Sequence, residues 1–192
     1  MHRGGWYHSH MKIYITRHGE TDFNKAHRVC GVSDILLNDR GIEQAKELAA
    51  MVESRKEELN ISHIYVSDLR RAQQTASFTE EVLGIKAIKD SRIREMNFGN
   101  MEGVDWDTPE FVEKKHCAYA TFEGGESTLK VAHRGYSFLE EIIEKYRDAN
   151  ENVLIVCHGT MAKVLSTYFR SYDRDEYDLL RLPNCCFLEY EV

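Results

Sequence analysis

One segment of the sequence reads Lys12-Ile13-Tyr14-Ile15-Thr16-Arg17-His18-Gly19-Glu20-Thr21. Its first half is apolar and rich in β-formers, which predicts a strand that Gly19 ends. Ligands and catalytic groups of α/β proteins collect beyond the ends of such strands. Arg17 is a natural donor to phosphate oxygens, and His18 is a natural nucleophile or proton carrier. For these residues alone, a surface turn is an equally good interpretation.

A second histidine follows a second predicted strand. The run Val153-Leu154-Ile155-Val156-Cys157 is continuously apolar, as expected of a strand buried on both faces. His158 and Gly159 come next, and a helical pattern begins after them. A single histidine here would more often be a structural hydrogen-bonding residue. Two histidines at strand ends favour a shared functional site.

An arginine pair lies in a comparable position after the short apolar strand 64–66. Ser67 or Asp68 is predicted to cap the helix that follows. Arg70 and Arg71 then fall in its first turn, where the helix dipole disfavours cations. That placement makes sense if an arginine turns toward a bound anion.

The order of predicted elements indicates an α/β three-layer α/β/α sandwich with helices on both faces. We expect one domain over residues 11–192, with an irregular, aromatic cap segment at about 96–126. Residues 1–10 precede a second methionine, Met11, and are interpreted as a leader or an expression extension. The predicted strands lie near 12–16, 63–66, 86–89, 153–157 and 186–191, and the predicted helices near 39–55, 69–83, 127–148 and from 160.

Composition limits the function. The chain has 192 residues and a formal net charge of −7, which argues against nucleic acid or an anionic membrane surface as a partner. No apolar run is long enough for a membrane span, and no signal peptide is predicted. Five cysteines without a disulfide pattern favour a cytoplasmic location. No metal-ligand spacing is visible, so neither a metal nor a cofactor is expected.

Five short motifs, in this order, resemble the signature of the histidine phosphatase superfamily, the phosphoglycerate mutase-like family. Each is brief, but their order along the chain makes the resemblance specific. They are Arg17-His18-Gly19-Glu20-Thr21 with Asn24, Ser67-x-Leu69-x-Arg71-Ala72-x-x-Thr75-Ala76, Arg94-Glu95-Met96 before Phe98-Gly99 and Glu102-Gly103, Gly124-Gly125-Glu126-Ser127, and Cys157-His158-Gly159.

The resemblance implies a mechanism and a set of site residues. His18 would be the phosphorylated nucleophile, and Glu95 would be the proton donor. The second ring nitrogen of His18 then needs an acceptor, which we expect to be a backbone carbonyl. Arg71, rather than Arg70, matches the motif position. The residues implied to bind the phosphoryl group are Arg17, Asn24, Arg71, His158 and Gly159.

Three functions remain open for this set of residues. The first is hydrolysis of a small-molecule phosphomonoester, and the second is mutase-type transfer of the phosphoryl group to another hydroxyl. The third is binding of a phosphorylated ligand without catalysis, which would need the arginines but not His18 with Glu95. A two-histidine metallohydrolase is disfavoured because carboxylates at metal-ligand spacing are missing.

The charge of the segment 96–127 favours the phosphatase. This segment holds seven acidic residues against Lys114, Lys115 and His116. An acidic cap would repel the second anionic group of a bisphosphate, which a mutase must bind. Its aromatic residues are expected either to contact an apolar leaving group or to pack the cap. They are Phe98, Trp106, Phe111, Tyr119 and Phe122.

Overall fold

The computed structural model describes residues 11–192, so the interpretation of residues 1–10 lies outside the described residues. Five strands form one sheet in the order β3-β2-β4-β1-β5. Strand β5 is antiparallel to β1, and the other pairings are parallel. The strands are β1 (Lys12–Arg17), β2 (Ile61–Val66), β3 (Ile88–Lys89), β4 (Asn152–Cys157) and β5 (Phe187–Glu191).

Helices cover both faces of this sheet. Within residues 11–192, no helix combines the length and apolarity needed to cross a bilayer. The helices are α1 (Asp22–Lys25), α2 (Asp39–Ser54), α3 (Lys56–Leu59), α4 (Arg70–Leu83), α5 (Pro109–Lys115), α6 (Thr128–Tyr146), α7 (Gly159–Phe169) and α8 (Arg174–Leu179), with 3-10 turns at Ser91–Ile93, Gly99–Met101 and Arg147–Ala149.

The central strand β4 is buried along its whole length and separates two hydrophobic cores. Val153, Ile155 and Cys157 pack into the core beneath α6 and α7. Leu154 and Val156 pack into the opposite core, beneath α2 and α4. Alternation of side chains along the strand therefore supplies both cores, and the predicted three-layer sandwich is confirmed.

The structure corrects two local predictions. The cap segment is not irregular throughout, because α5 begins with Pro109 at its first turn and occupies seven residues of the segment. Helix α4 begins after Leu69, and neither Ser67 nor Asp68 caps it. The Asp68 carboxylate instead accepts two hydrogen bonds from Arg94, and the Ser67 hydroxyl lies in the site described below.

A close backbone approach fixes the loop that follows β1. The Asn38 side chain accepts a hydrogen bond from the Gly41 N–H at 2.9 Å, as a cap of α2, and its amide donates to Glu20 Oε1 at 2.9 Å. A β-carbon on Gly41 would overlap the Glu20 carbonyl oxygen, and one on Gly19 would overlap the Gly41 carbonyl. The start of α2 therefore lies directly against residues 18–21.

Gly41→Ala should lower the free energy of unfolding by about 1–3 kcal/mol, because backbone must move to admit the methyl group. This cost exceeds the ~1 kcal/mol that alanine gains over glycine in a helix. Urea denaturation followed by circular dichroism measures the change. Glu53→Ala, on the exposed face of the same helix, is the control and should stay within about 0.5 kcal/mol of the parent. An unchanged or increased stability of Gly41→Ala would contradict the close approach.

Candidate active site

His18 lies at the end of β1, where its backbone N–H donates to the Cys157 carbonyl at 3.0 Å. Its side chain is buried. The ring Nδ1 is 2.6 Å from the carbonyl oxygen of Gly19, which can only accept, so Nδ1 carries the proton. The Arg71 Nε–H donates to His18 Nε2 at 3.1 Å. Nε2 is therefore the nitrogen with a lone pair, and the expected carbonyl acceptor is present.

The electrostatic environment keeps this ring neutral. Burial is the main cause that lowers the pKa of His18 well below its ordinary value, and repulsion from Arg71 and Arg17 adds to it. The hydrogen bond to the Gly19 carbonyl opposes the shift. A neutral imidazole with a free lone pair is the form that can attack phosphorus.

Arg71 is fully buried at the start of α4. Beyond its bond to His18, it donates to the carbonyl oxygens of Ser33 at 2.8 Å and Gly31 at 2.6 Å. Arg70 instead forms an exposed ion pair with Asp34. The choice of Arg71 over Arg70 thus agrees with the geometry. Both terminal nitrogens of Arg71 are held by carbonyls of the 31–33 loop, so its Nε–H is the donor that faces His18.

His158 is the N-cap residue of α7, and its ring centroid lies 5.1 Å from that of His18. Its Nε2 is 2.7 Å from the Ser67 hydroxyl, a partner that sequence analysis assigned to helix capping. Its Nδ1 is buried and has no hydrogen-bond partner among the described residues. Burial, followed by repulsion from Arg71, lowers the pKa of His158 well below its ordinary value. A neutral His158 with a free Nδ1 is suited to a ligand oxygen.

Glu95 is buried in the loop after the 3-10 turn Ser91–Ile93. Its Oε1 accepts from the N–H groups of Met96 at 2.8 Å and Met161 at 3.1 Å. Its Oε2 accepts from the Thr160 N–H at 3.0 Å. Amides at the start of α7 therefore hold the Glu95 carboxylate.

Arg17 connects the site to the C-terminal segment. One terminal nitrogen donates to the Leu182 carbonyl at 2.7 Å, while Nε is buried without a partner among the described residues. A β-carbon on Gly159 would lie 3.4 Å from that Nε, so Gly159 leaves room beside it. Burial is the main cause that lowers the pKa of Arg17 from its usual value. A buried guanidinium with a free donor is a ready anion ligand.

Asn24, in α1, lines the same pocket. Its Oδ1 accepts from the Thr21 N–H at 3.1 Å, which leaves the Nδ2 group to donate to a ligand. Asn184 lies beside it and donates to the His18 carbonyl at 2.9 Å. Sequence analysis missed Asn184 and the Leu182 carbonyl, because residues 180–185 carry no periodic pattern and no motif. Only the tertiary fold brings them to the site.

A pocket of about 760 Å³ is lined by four of the site residues, Arg17, Asn24, Glu95 and Gly159. His18, Arg71 and His158 are buried and are not among its lining residues. Its lining includes the cations Arg28, Lys115, Lys163 and Arg181 and the acids Glu95, Asp107 and Asp178. Within residues 11–192, no cluster of three or more potential metal ligands is present. The pocket is thus richer in positive charge than the composition of the cap segment predicted.

The acidic cap argument is corrected by the contacts of its acids. Glu102 accepts from the N–H groups of Gly31 and Val32 at 3.0 and 2.9 Å. Glu126 forms an ion pair with Arg134 at 2.9 Å. Both carboxylates act inside the protein and do not line the pocket. Counting acids along the chain therefore overestimated the negative charge that a ligand would meet.

The aromatic residues of the cap segment divide between two roles. Phe98, Phe111 and Phe122 pack against one another with ring centroids 5.3–5.6 Å apart. Phe98, Phe111 and Trp106 also line the pocket, whereas Tyr119 is 80% exposed and does not. The aromatic residues of this segment therefore both pack the cap and form part of the pocket wall.

Residues 13–192 match the family model described as the histidine phosphatase superfamily (branch 1). The chain belongs to this superfamily. The probable phosphoglycerate mutase GpmB of Yersinia pestis (strain Pestoides F) is 34% identical over 182 residues, which cover 91% of this chain and 82% of that protein.

Solved structures with a similar fold agree with the assignment to this superfamily. The mycobacterial glucosyl-3-phosphoglycerate phosphatase is 27% identical with a TM-score of 0.79, over 93% of this chain and 89% of that one. A structure named mycobacterial hydrolase 1 is also 27% identical, with a TM-score of 0.80 over 93% and 88% of the two chains. Both phosphatase and mutase names therefore occur among the proteins that are similar to this chain.

The His18 ring should stay neutral in the folded chain at pH values well below ~6.5, the ordinary histidine midpoint. Protonation would add a buried positive charge beside Arg17 and Arg71. Nitrogen-15 NMR of labelled imidazoles measures the titration, and His18→Ala identifies the signals. The same ring in the urea-unfolded chain is the control and should titrate near ~6.5. A folded midpoint at or above that value would contradict the assigned environment.

Proposed function

We propose that this chain is a phosphomonoesterase that acts on a small-molecule ester through a phosphohistidine at His18. The observation that carries the proposal is the orientation of His18, with Nδ1 on the Gly19 carbonyl and Nε2 facing the Arg71 guanidinium. This arrangement fixes the tautomer whose Nε2 lone pair can attack. It also places a permanent cation at the position where the phosphoryl group would be received.

In the first step, donors hold the three non-bridging oxygens of the phosphoryl group. The Arg17 Nε and the His158 Nδ1 are buried and have no hydrogen-bond partner within residues 11–192. Ser67 can donate its proton to His158 Nε2, which leaves the His158 proton on Nδ1, toward the ligand. His18 Nε2 then forms a bond to phosphorus while the bond from phosphorus to the ester oxygen breaks. Arg71 must release the Nε2 lone pair as the phosphoryl group arrives.

Glu95 supplies the proton to the departing ester oxygen. Its Oε1 already accepts two N–H groups and so has both lone pairs in use. Its Oε2 accepts one, so the transferable proton belongs on Oε2. After the alcohol leaves, the Glu95 carboxylate takes a proton from water, whose oxygen attacks phosphorus and releases His18. The scheme uses no metal ion, because guanidinium groups supply the positive charge.

Phosphoryl transfer to a second hydroxyl is the alternative to hydrolysis. Relatives named probable phosphoglycerate mutase favour it, and the similarity to a solved phosphatase favours hydrolysis. The pocket of about 760 Å³ leaves room for water beside a small ester, which supports hydrolysis. Phosphorus-31 NMR of a phosphoglycerate reaction separates the two, since hydrolysis gives free phosphate and a mutase gives an isomeric ester.

His18→Ala should reduce hydrolysis to a trace, because the variant lacks the proposed acceptor of the phosphoryl group. Brief incubation of the parent with phosphorus-32-labelled ester should leave an acid-labile, base-stable adduct on His18. Prior dialysis against a strong chelator should not change the adduct. His133→Ala, on the exposed face of α6, is the control and should react like the parent. Substantial activity of His18→Ala would show that the nucleophile is misassigned.

Glu95→Gln should slow phosphoenzyme formation from an alkyl ester such as glycerol phosphate by about 10²-fold or more, since a basic oxygen needs a proton to leave. The loss for p-nitrophenyl phosphate should be much smaller, because its phenol leaves without one. Rapid-quench measurement of the first step gives both rates. Glu113→Gln, an exposed acid of α5, is the matched control. Equal losses for both esters would mean that Glu95 only positions its loop.

A further inference from the structure

Four cations line the pocket beyond the phosphoryl-binding groups, and one of them, Arg28, donates to the Gly103 carbonyl. The other three come from three parts of the chain: Lys115 from the end of α5, Lys163 from the second turn of α7, and Arg181 from the segment after α8. We call them the distal cations. Lys163 is buried and Lys115 is half-buried, so two of the three ammonium or guanidinium groups are withdrawn from water.

The distal cations lack carboxylate partners. Within residues 11–192, no acid lies at salt-bridge distance from Lys115, Lys163 or Arg181. The neighbouring Lys114, by contrast, pairs with Glu110 at 3.3 Å. Burying an unpaired ammonium group is costly in a protein. In a chain of net charge −7, which has many carboxylates available, this arrangement indicates that the missing anion comes from a ligand.

Neutral contacts hold the two amines in place. The Lys115 Nζ donates to the Thr160 hydroxyl at 2.5 Å and lies 4.7 Å from the centre of the Phe98 ring. The Lys163 Nζ lies 4.3 Å from the centre of the Tyr177 ring. Burial is the main cause that lowers the pKa of each amine to about 8, so both remain largely protonated at neutral pH.

The distal cations adjoin the phosphoryl site on two sides. The Thr160 that holds Lys115 also gives its N–H to Glu95, the proposed proton donor. Arg181 precedes Leu182, whose carbonyl holds Arg17. A ligand that extends from His18 past Glu95 would therefore approach these charges.

The acids of this region offset the distal cations only in part. Asp178 attracts Lys163 through space but also pairs with Arg174 at 3.7 Å, and Glu95 attracts Lys115. Asp107 is exposed at the edge of the pocket. Glu95 is held by three amides.

We propose that Lys115, Lys163 and Arg181 form a second anion subsite, which selects phosphomonoesters that carry a further carboxylate or phosphate group. The proposal rests on the phosphomonoesterase function and names its substrate class. It replaces the expectation of a cap that repels a second anion. The subsite would hold the leaving-group half of the substrate, because the phosphoryl group itself lies at His18.

Two matched pairs of esters test the subsite and identify its anion. The first pair is 3-phosphoglycerate and glycerol 3-phosphate, which differ in a carboxylate. The second is fructose 1,6-bisphosphate and fructose 6-phosphate, which differ in a second phosphate. For at least one pair, kcat/KM of the parent should favour the more anionic ester by about tenfold or more. Ratios near one for both pairs would overturn the proposal.

Lys163→Met and Lys115→Met should each reduce that ratio by about tenfold, since each removes one charged hydrogen-bond donor at similar side-chain volume. Lys114→Met is the matched control and should keep the parent ratio. A merely structural role would slow both esters of a pair equally and leave the ratio intact, which would also overturn the proposal.

Binding to His18→Ala separates this proposal from the proposed function. Titration calorimetry of this variant with each ester measures affinity without turnover. A tenfold preference for the more anionic ester, lost on adding Lys163→Met, supports the subsite even if the parent releases no phosphate. Equal affinities within both pairs contradict the subsite even if the parent is an active phosphatase.

Discussion

The contact between the Arg71 guanidinium and His18 Nε2 is the interaction around which the site is arranged. It joins the first turn of α4 to the end of β1 at 3.1 Å. The same guanidinium is held by the carbonyls of Gly31 and Ser33, and Glu102 in turn binds the backbone of that loop. A fully buried arginine without a carboxylate partner would be strongly destabilising unless its donors were satisfied. These hydrogen bonds hold the 31–33 loop against the guanidinium, and the loop in turn sets where the cation lies relative to His18.

A second layer of contacts holds the acid in the same way. Arg134 donates to the carbonyls of Arg92, Arg94 and Glu95 and pairs with Glu126. The start of α7 fixes the Glu95 carboxylate from the other side. His18 and Glu95, the proposed nucleophile and acid, are thus fixed by contacts with strands and helices even though Glu95 itself lies in a loop, and such fixing is what positioning for catalysis requires.

Local patterns predicted the elements that carry the site, because β1 and β4 are apolar runs ended by His-Gly and the helices have regular apolar spacing. The partners of the site residues were less predictable. Ser67 has the signature of a helix cap, yet its hydroxyl serves His158, 91 residues away in sequence. Asn184 and Leu182 reach the site only through the tertiary fold. Short α5 was missed because seven residues hold less than two full turns of pattern.

The acidic composition of the cap segment led to a wrong prediction about the charge that a substrate would meet in the pocket. The acids of the segment were counted as if all of them faced the ligand. Glu102 instead accepts hydrogen bonds from backbone amides, and Glu126 forms an ion pair with Arg134. Lys163 and Arg181 lie outside the segment and were not counted at all. In a poorly solvated pocket, charges a few ångströms away dominate the electrostatic potential at a ligand. The position and the pairing of each charge therefore matter more than the net charge of the segment. A second anion site is also compatible with either hydrolysis or transfer, since both begin with the same phosphohistidine. What divides them is whether water or a substrate hydroxyl occupies the space beside Glu95 after the first step.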